Sequence, residues 1–322
     1  MRYRKLGRTG ITVSEIGFGT WGLGGNSYGP VDDRVSEKTL QYALACGITF
    51  YDASDLYGNG HSEEVLGKIF KKSRDKVILA TKVGTLPHSG FHMPQDFSPQ
   101  HIQKGIEASL KRLQTDYIDL YQLHSPPRGL LENGDCPLET LKKLQQQGKV
   151  RTFGISVRSP DDGLIAIEKF NFPVVQVNFN LIDHRAIENG LLKLAKRRNT
   201  GVIARTPLCF GYLTGKLTGE EKFKGLDHRL NWSKEQLGRW AQAPNLFAFL
   251  NHGKERTPAQ LALRFCLDQE SISTVIPGMM NRSEVEENIQ ATTLGALSPQ
   301  EMERIKIVYK SHIFYDPSCK RG

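Results

Sequence analysis

Four residues of this chain carry side chains that could together move a proton onto a carbonyl oxygen: Asp52, Tyr57, Lys82 and His124. Three of them end short apolar runs typical of buried strands, namely ITFYD (48–52), KVILATK (76–82) and DLYQLH (119–124). Tyr57 follows the first run on a loop, and a helical pattern separates each run from the next. Because consecutive parallel strands end at the same edge of a sheet, we expect these side chains to share one site.

Tyr57 is the expected proton donor of this group. A free phenol has a pKa near ~10 and is a poor acid at neutral pH. The ammonium of Lys82 is expected to favour the phenolate and lower that pKa, while Asp52 keeps Lys82 charged and oriented. His124 is expected to donate a hydrogen bond to the substrate oxygen or to help relay the proton. General acid catalysis of this kind contributes typically ~10²–10⁴-fold, and a hydride would arrive at the carbonyl carbon.

Each of the four residues also has a structural explanation when taken alone. A Lys–Asp pair at strand ends is often a structural ion pair, a loop Tyr often packs, and a His after a strand is often a satisfied polar group. Their placement on three consecutive strands, at the edge where barrel enzymes build their sites, favours the functional interpretation.

The composition is ordinary for a globular protein and argues against several other classes. The 322 residues are 39% hydrophobic and 24% charged, and we expect one domain over 1–322. No apolar run is long enough for a transmembrane helix, and the N-terminus lacks the apolar segment of a signal peptide. Five cysteines without paired spacing are expected in a reducing cytoplasm. The net charge of +9 is spread over helices with interleaved acidic residues, so we expect neither nucleic acid nor a membrane as a partner.

Strand and helix patterns alternate along the chain after an opening hairpin over 3–6 and 11–14. Short apolar runs predict strands at 16–19, 48–52, 77–82, 117–123, 151–156, 173–177, 201–205 and 272–276. Amphipathic patterns predict helices at 36–46, 61–71, 99–113, 137–147, 160–170, 184–198 and 257–268. Eight such units predict the α/β class, as a (β/α)₈ TIM barrel with an N-terminal β-hairpin. A doubly wound sheet is the rival, but the glycine-rich segment after the first strand does not continue as a helix that opens on a phosphate.

Cap residues and long loops refine this barrel. Ser36, Ser98 and Thr257 are expected to cap helices, the last two ahead of a proline at the first helical position. The long loops all follow strands, at 84–97, 125–136 and 206–256, and the last contains a helical stretch at 233–252. They are therefore expected on the C-terminal face of the barrel, where they would shape a pocket.

Several segments of the chain together resemble the aldo-keto reductase family, in its bacterial form related to potassium-channel β subunits. They are LGRTGITVSEIGFGTWGLGG (6–25), DASDLYGNGHSEEVLGK (52–68), ATKVG (80–84), DYIDLYQLH (116–124), GKVRTFGISV (148–157), VVQVNFNL (174–181), PLCFGYLTGK (207–216) and VIPGMMNRSEVEEN (275–288). The DxxxxYG segment followed by SEExLG is the most specific of them. The resemblance implies an enzyme that reduces aldehydes or ketones, or oxidises alcohols, by direct hydride transfer. It makes Asp52, Tyr57, Lys82 and His124 the catalytic residues.

The resemblance also implies a nicotinamide dinucleotide cofactor, with NADP(H) expected first and NAD(H) as the alternative. Ser156 and Gln176 are implied at the nicotinamide carboxamide. The pyrophosphate is implied to lie along Pro207, Leu208, Gly211 and Lys216. The adenosine end is implied to be lined by Gly278, Met280, Arg282, Glu284, Glu287 and Asn288. The remaining expected cofactor contacts are Gly19, Thr20, Trp21, Asp52 and Arg205.

Three positions depart from the pattern of the family. Val157 replaces an Asn that many relatives carry, which removes one carboxamide contact. Arg205 stands where many relatives stack a Tyr under the nicotinamide. A guanidinium can also stack on a ring, or it can reach the pyrophosphate. A cation beside the nicotinamide would favour its neutral reduced form over the positively charged oxidised form. Glu284 stands where relatives often have Gln or Arg, and a carboxylate suits a free 2′-hydroxyl and repels a 2′-phosphate. Arg282 has the opposite expected effect, because its positive charge would attract a 2′-phosphate.

The expected substrate pocket has an apolar wall formed by Trp21 and Phe91, next to Tyr57 and His124. Such a wall suits a medium-sized carbonyl compound as the small-molecule partner. The histidines of the HSGFH segment (88–92) have no acidic or Cys partners, so no metal is expected. The four catalytic candidates do not separate a carbonyl reductase from a redox-sensing module with slow turnover or from an NAD-linked alcohol or sugar dehydrogenase. Whether the protein is a monomer or a homo-oligomer also stays open.

Overall fold

Parallel strands alternate with helices in the computed structural model, which describes residues 1–88, 93–251 and 255–316. Over these residues the strands are β1 (Tyr3–Lys5), β2 (Thr12–Ser14), β3 (Phe18–Gly19), β4 (Phe50–Asp52), β5 (Ile78–Val83), β6 (Ile118–His124), β7 (Val150–Ser156), β8 (Val174–Asn178), β9 (Gly201–Arg205) and β10 (Ile272–Val275). The α-helices of the same residues are α1 (Asp33–Ala45), α2 (His61–Phe70), α3 (Pro99–Leu113), α4 (Arg128–Glu132), α5 (Leu138–Gln146), α6 (Pro160–Glu168), α7 (Arg185–Glu188), α8 (Leu191–Arg198), α9 (Lys234–Leu246), α10 (Pro258–Leu267), α11 (Arg282–Gln290) and α12 (Pro299–Ser311). No helix of the described ranges is long and apolar enough to cross a membrane.

Strands β3 to β10 form one parallel sheet in sequence order, and its two edges meet. Parallel bridges join Ile16 to Val275 and Gly19 to Gly278. The backbone N–H of Gly17 donates to the carbonyl oxygen of Val275 at 2.8 Å. Gly19 suits this seam, because an added Cβ would lie 2.7 Å from the carbonyl oxygen of Ile276. The predicted (β/α)₈ barrel is confirmed, and the eight predicted strands agree with the observed ones to within two residues at each end.

The interior of the barrel is layered because alternate side chains of each strand point inward. The lower layer is apolar and is formed by Phe50, Ala80, Leu120, Val174 and Ile203. The antiparallel hairpin of β1 and β2, which the sequence predicts, closes this end with Leu6, Ile11 and Val13. Two residues further along the same strands stand Asp52, Lys82, Gln122, Gln176 and Arg205. Strand alternation therefore places a polar layer directly above an apolar floor.

Helix boundaries follow the sequence pattern with two corrections. The predicted caps Ser98 and Thr257 are confirmed, since their side chains accept from the backbone N–H groups of His101 and Gln260. Ser36 is not a cap: α1 begins three residues earlier, where the side chain of Asp32 accepts from the N–H of Arg34. The predicted helix at 184–198 is divided into α7 and α8, because Gly190 adopts φ +84° between them. The helical patterns above do not include α4, α11 or α12.

Candidate active site

The ammonium of Lys82 joins Asp52 to Tyr57 and is completely buried. Its Nζ donates to Oδ2 of Asp52 at 2.6 Å, to the carbonyl oxygen of Ala53 at 2.7 Å and to the hydroxyl of Tyr57 at 3.0 Å. These three bonds use all three donors of an ammonium. Burial disfavours the charge, but Asp52 and Tyr57 outweigh it and raise the pKa of Lys82. Lys82 is therefore a fixed cation beneath the phenol.

Asp52 is held by neutral donors on its other oxygen. Oδ1 accepts from Nε2 of Gln176 at 2.9 Å and from Nε2 of Gln122 at 3.2 Å. These amides satisfy a buried carboxylate without adding charge. Gln122 is not among the predicted site residues, although its position two residues before His124 places both side chains on the inner face of β6.

Tyr57 is positioned by a tight loop between β4 and α2. Gly58 adopts φ +61°, and an added Cβ there would overlap the carbonyl oxygen of Gly24. The close backbone contact between these two segments explains why glycine follows the tyrosine. Burial raises the pKa of Tyr57, and the nearby Lys82 opposes this without cancelling it. The expected lowering of the pKa is therefore wrong in net direction, because desolvation outweighs the ammonium.

His124 closes the group from the end of β6. Its ring lies 6.0 Å from that of Tyr57 at 85°, and its Nδ1 is 3.1 Å from Oγ of Ser54. Burial, followed by the positive charges of Lys82 and Arg205, holds the pKa of His124 well below its usual range. The imidazole is therefore neutral, and Ser54 is a contact beyond the predicted site residues.

A cavity of about 1250 Å³ opens above this polar layer and extends to the start of α11. The predicted site residues that line it are Gly19, Trp21, Asp52, Tyr57, His124, Gln176, Arg205, Pro207, Leu208, Gly211, Lys216, Gly278, Met280, Glu284, Glu287 and Asn288. The structure therefore brings most of the expected catalytic and cofactor residues to one continuous space.

A few predicted residues lie elsewhere. Lys82 lies under Tyr57, Thr20 is buried and donates to the carbonyl oxygen of Asp52 at 2.9 Å, and Ser156 is buried and donates to Oε1 of Gln176 at 3.2 Å. Thr20 and Ser156 thus support neighbouring residues from behind. Phe91, expected in the substrate pocket, lies outside the described residues, as does His92.

Arg205 and the loop after β9 show features that fit an anionic ligand. Nη2 of Arg205 donates to the carbonyl oxygen of Val157 at 3.0 Å, whereas its buried Nε has no hydrogen-bond partner within the described ranges. An unpartnered buried donor is costly and calls for a missing acceptor. Just beyond it, Thr206, Cys209 and Phe210 adopt φ of +52°, +45° and +56°. Left-handed backbone at such residues costs of order 1–3 kcal/mol each and clusters at ligand sites.

The start of α11 holds a carboxylate that bonds the backbone just before the helix. The carboxylate of Glu284 accepts from the backbone N–H of Met280 at 2.7 Å and from Nδ2 of Asn281 at 3.1 Å. Arg282 faces away from the cavity: its Nε donates to Glu286 at 2.9 Å, and its guanidinium lies 4.2 Å from the ring centroid of Tyr42. The carboxylate of Glu284 therefore lies at the N-terminus of α11, where backbone N–H groups would otherwise be open to an anion.

Aromatic side chains form the wall of the cavity near Tyr57. Trp21 lies at its centre, with ring centroids 4.8 Å from His228, 5.3 Å from Tyr28 and 6.3 Å from Phe210. Burial lowers the pKa of His228 to about 4, so this ring is neutral. Trp21 is a predicted wall residue. Tyr28 belongs to the same loop, whereas His228 and Phe210 come from the long loop after β9, and no local pattern identifies these two partners.

Comparisons with known proteins agree with this architecture. The model of the aldo/keto reductase family matches residues 15–310. This chain belongs to the aldo/keto reductase family. Aldo-keto reductase YhdN of Bacillus subtilis (strain 168) is 34% identical over 97% of this chain and 95% of its own length. A probable voltage-gated potassium channel subunit beta of Oryza sativa subsp. japonica is 27% identical over 97% of each protein. The holo form of aldo-keto reductase AKR11C1 from Bacillus halodurans has a TM-score of 0.80 at 29% identity, covering 99% of this chain and 100% of that one.

Membership in this family makes the protein an oxidoreductase that acts on carbonyl or alcohol groups and uses a nicotinamide cofactor. Three features of the cavity fit such a dinucleotide: it is continuous from the polar layer to the start of α11, Arg205 has an unpartnered donor, and the loop beside Arg205 is strained. The roles of individual residues stay predictions.

Proposed function

We propose that the protein reduces an aldehyde or ketone to an alcohol, with Tyr57 as the proton donor. The observation that carries this proposal is the set of bonds by which one buried ammonium, Lys82, holds both Asp52 and the Tyr57 hydroxyl at the floor of the cavity. When bound, the reduced nicotinamide supplies a hydride to the carbonyl carbon.

The chain's own residues then handle the proton. As negative charge develops on the substrate oxygen, the O–H bond of Tyr57 breaks and a new O–H bond forms on the substrate. Lys82, at 3.0 Å from the phenol oxygen, stabilises the phenolate that remains. Asp52 holds Lys82 in place, and solvent returns a proton to Tyr57. A neutral His124 is suited to donate a hydrogen bond to the same substrate oxygen.

The charge state of Tyr57 supports reduction as the favoured direction. Because burial raises the pKa of its phenol, Tyr57 holds its proton at neutral pH, and donation depends on Lys82 stabilising the phenolate as it forms. Alcohol oxidation would need the phenolate as a base, and this form is scarce under the same conditions.

We further propose that the protein uses NADH at least as well as NADPH. Glu284 holds a carboxylate at the start of α11, and Arg282 is engaged by Glu286 on the outer side of that helix. A carboxylate favours a free 2′-hydroxyl over a 2′-phosphate. This ordering departs from the preference for NADP(H) that the family resemblance implies, because Arg282, the one cation expected to favour a 2′-phosphate there, is bonded to Glu286 instead.

The substrate we propose is a medium-sized carbonyl compound with an apolar or planar part. The aromatic wall around Trp21 offers ring faces to such a group, while Tyr57 and His124 provide the polar anchors for its oxygen.

Turnover of 4-nitrobenzaldehyde by the purified protein tests this function. Oxidation of NADH and of NADPH is followed by absorbance, in steady state and in a single turnover. We expect repeated turnover and a kcat/KM with NADH that equals or exceeds that with NADPH. A single turnover followed by a halt would favour a redox-sensing module instead, and a clear preference for NADPH would contradict the proposed ordering.

A further inference from the structure

Ser54 connects His124 to a second carboxyl group, that of Asp55. Oγ of Ser54 lies 3.1 Å from Nδ1 of His124 and 3.1 Å from Oδ1 of Asp55. The same oxygen accepts a third bond, from the backbone N–H of Leu56 at 3.1 Å. Ser54 is completely buried, so these three contacts define its surroundings.

The bonding capacity of one hydroxyl limits how this chain of contacts can be arranged. A serine hydroxyl has one proton to donate and two lone pairs that accept. Leu56 uses one lone pair, which leaves one proton and one lone pair for His124 and Asp55. If Ser54 donates to the Asp55 carboxylate, it must accept from Nδ1–H of His124. If a protonated Asp55 donates to Ser54, then Ser54 donates to a bare Nδ1.

These two arrangements correspond to the two neutral tautomers of His124. With Nδ1 bonded to Ser54, Nε2 is the ring nitrogen left for a ligand in the cavity that His124 lines. A bare Nδ1 means that Nε2 carries the proton and can donate it to a substrate oxygen. A protonated Nδ1 leaves Nε2 as an acceptor, which would face the same oxygen with a lone pair.

The charges around His124 keep its ring neutral, so that the tautomer is the variable. Lys82 on β5, Arg205 on β9, His88 and Arg158 all disfavour the imidazolium, in addition to burial.

The surroundings of Asp55 differ from those of His124. Burial and the carboxylate of Glu63 on α2 raise the pKa of Asp55 to about 7, while Ser54 and Arg112 of α3 oppose this. Glu63 is itself bonded to Arg112 at 2.6 Å and to Thr81 at 2.5 Å, and Tyr121 on β6 is the other titratable group near Asp55. Asp55 is therefore the member of the chain that changes charge near neutral pH.

We propose that Asp55 is a positioning residue that selects, through Ser54, the tautomer of His124 presented to the substrate. The protonated carboxyl group gives the Nε2–H form that donates to the carbonyl oxygen, and the carboxylate gives the Nδ1–H form that does not. On ionisation one proton leaves Asp55 for solvent, the Ser54 proton turns from His124 to Asp55, and the imidazole exchanges its proton from Nε2 to Nδ1. This inference rests on the proposed reductase function, because the role of Nε2–H is to bind the substrate oxygen.

The pH dependence of carbonyl reduction tests this proposal in the full-length protein. For the wild type we expect kcat/KM to fall roughly thirtyfold between pH 6 and pH 8.5, because the donating tautomer is lost as Asp55 ionises. Asp55→Asn should remove this fall, since its carboxamide N–H donates to Ser54 at every pH. Ser54→Ala should also abolish the fall in kcat/KM with pH, because the bond between Asp55 and His124 through Ser54 is lost, and its kcat/KM should be lower than that of the wild type. Glu64→Gln, an exposed carboxylate change on α2, should keep the wild-type profile. An Asp55→Asn profile that falls like that of the wild type would overturn the proposal.

Nitrogen NMR of the histidine rings gives a readout that does not need turnover. With ¹⁵N-labelled histidine, His124→Gln assigns the signals by difference. We expect the proton of His124 to move from Nε2 to Nδ1 between pH 6 and pH 8.5 in the wild type and to stay on Nε2 in Asp55→Asn. An unchanged tautomer in the wild type would overturn the proposal even if the enzyme is active. If no carbonyl compound is reduced at any pH, the proposed function fails, and the NMR titration still decides whether Asp55 controls His124.

Discussion

Replacement of Lys82 by Met should separate the structural and chemical roles of the buried ammonium. The variant keeps the side-chain length but leaves the Asp52 carboxylate buried with only two amide donors, from Gln122 and Gln176. Removing one partner of a buried ion pair costs about 3–5 kcal/mol, and we expect the free energy of unfolding to fall by this amount. Loss of the cation that stabilises the Tyr57 phenolate should also reduce kcat/KM by about 10²–10⁴-fold.

The double variant Lys82→Met/Asp52→Asn distinguishes these two effects. Because it removes both charges, at least half of the lost stability should return, whereas the activity should not. Lys142→Met is the matched control, since Lys142 forms an exposed pair with Glu139 at 2.8 Å, and it should change stability by less than about 1 kcal/mol. Urea unfolding followed by tryptophan fluorescence, together with steady-state kinetics, measures both quantities. If Lys82→Met unfolds within about 1 kcal/mol of the wild type, or if the double variant is as unstable as the single one, this explanation of the buried pair is wrong.

Three further predictions concern the cofactor end and Asp55. Arg205→Leu should weaken NADH binding by about ten- to hundredfold, which corresponds to the loss of a charge-assisted hydrogen bond. Its folding stability should not fall. A fluorescence titration that shows an unchanged Kd for NADH would contradict this prediction. Glu284→Arg should raise the ratio of kcat/KM for NADPH over NADH by about tenfold or more, and an unchanged ratio would separate Glu284 from cofactor choice. The free energy of unfolding of Asp55→Asn, measured relative to that of the wild type at the same pH, should increase as the pH rises from 5 to 8. The pKa of Asp55 is raised in the folded state, so the folded protein binds more protons in this range and wild-type stability falls with pH; a difference in unfolding free energy that does not vary with pH argues against that titration.

The strands and their order follow from the sequence because buried parallel strands are continuous apolar runs. ITFYD, KVILATK and DLYQLH each end in a polar residue, and β4, β5 and β6 end at or beside those residues. The family resemblance supplied the cofactor segments, which line the same cavity. The opening hairpin followed from its turn residues and its alternating pattern.

The contacts inside the site could not be predicted from the sequence in the same way. The side-chain orientations of Arg282 and Glu284 depend on which partners lie within reach. One partner of Arg282 is Tyr42, which lies on α1, far away in the sequence. The net pKa shift of Tyr57 depends on its burial, which no local pattern gives. Gln122 is the exception: the period of two along β6 places it beside His124, and a buried amide in a strand is a signal that could have been used.

The Tyr57→Phe variant provides the most direct test of the proposed chemistry. Single-turnover kinetics at pH 7 with bound NADH and 4-nitrobenzaldehyde measure the reduction step, and a fluorescence titration measures cofactor affinity in the same preparation. We predict that the rate of carbonyl reduction falls by about 10²–10⁴-fold, because the proton donor is lost, while the Kd for NADH stays within about threefold, since the phenyl ring keeps its place beside Trp21. A variant that reduces the aldehyde at the wild-type rate would contradict the assignment of Tyr57 as the acid.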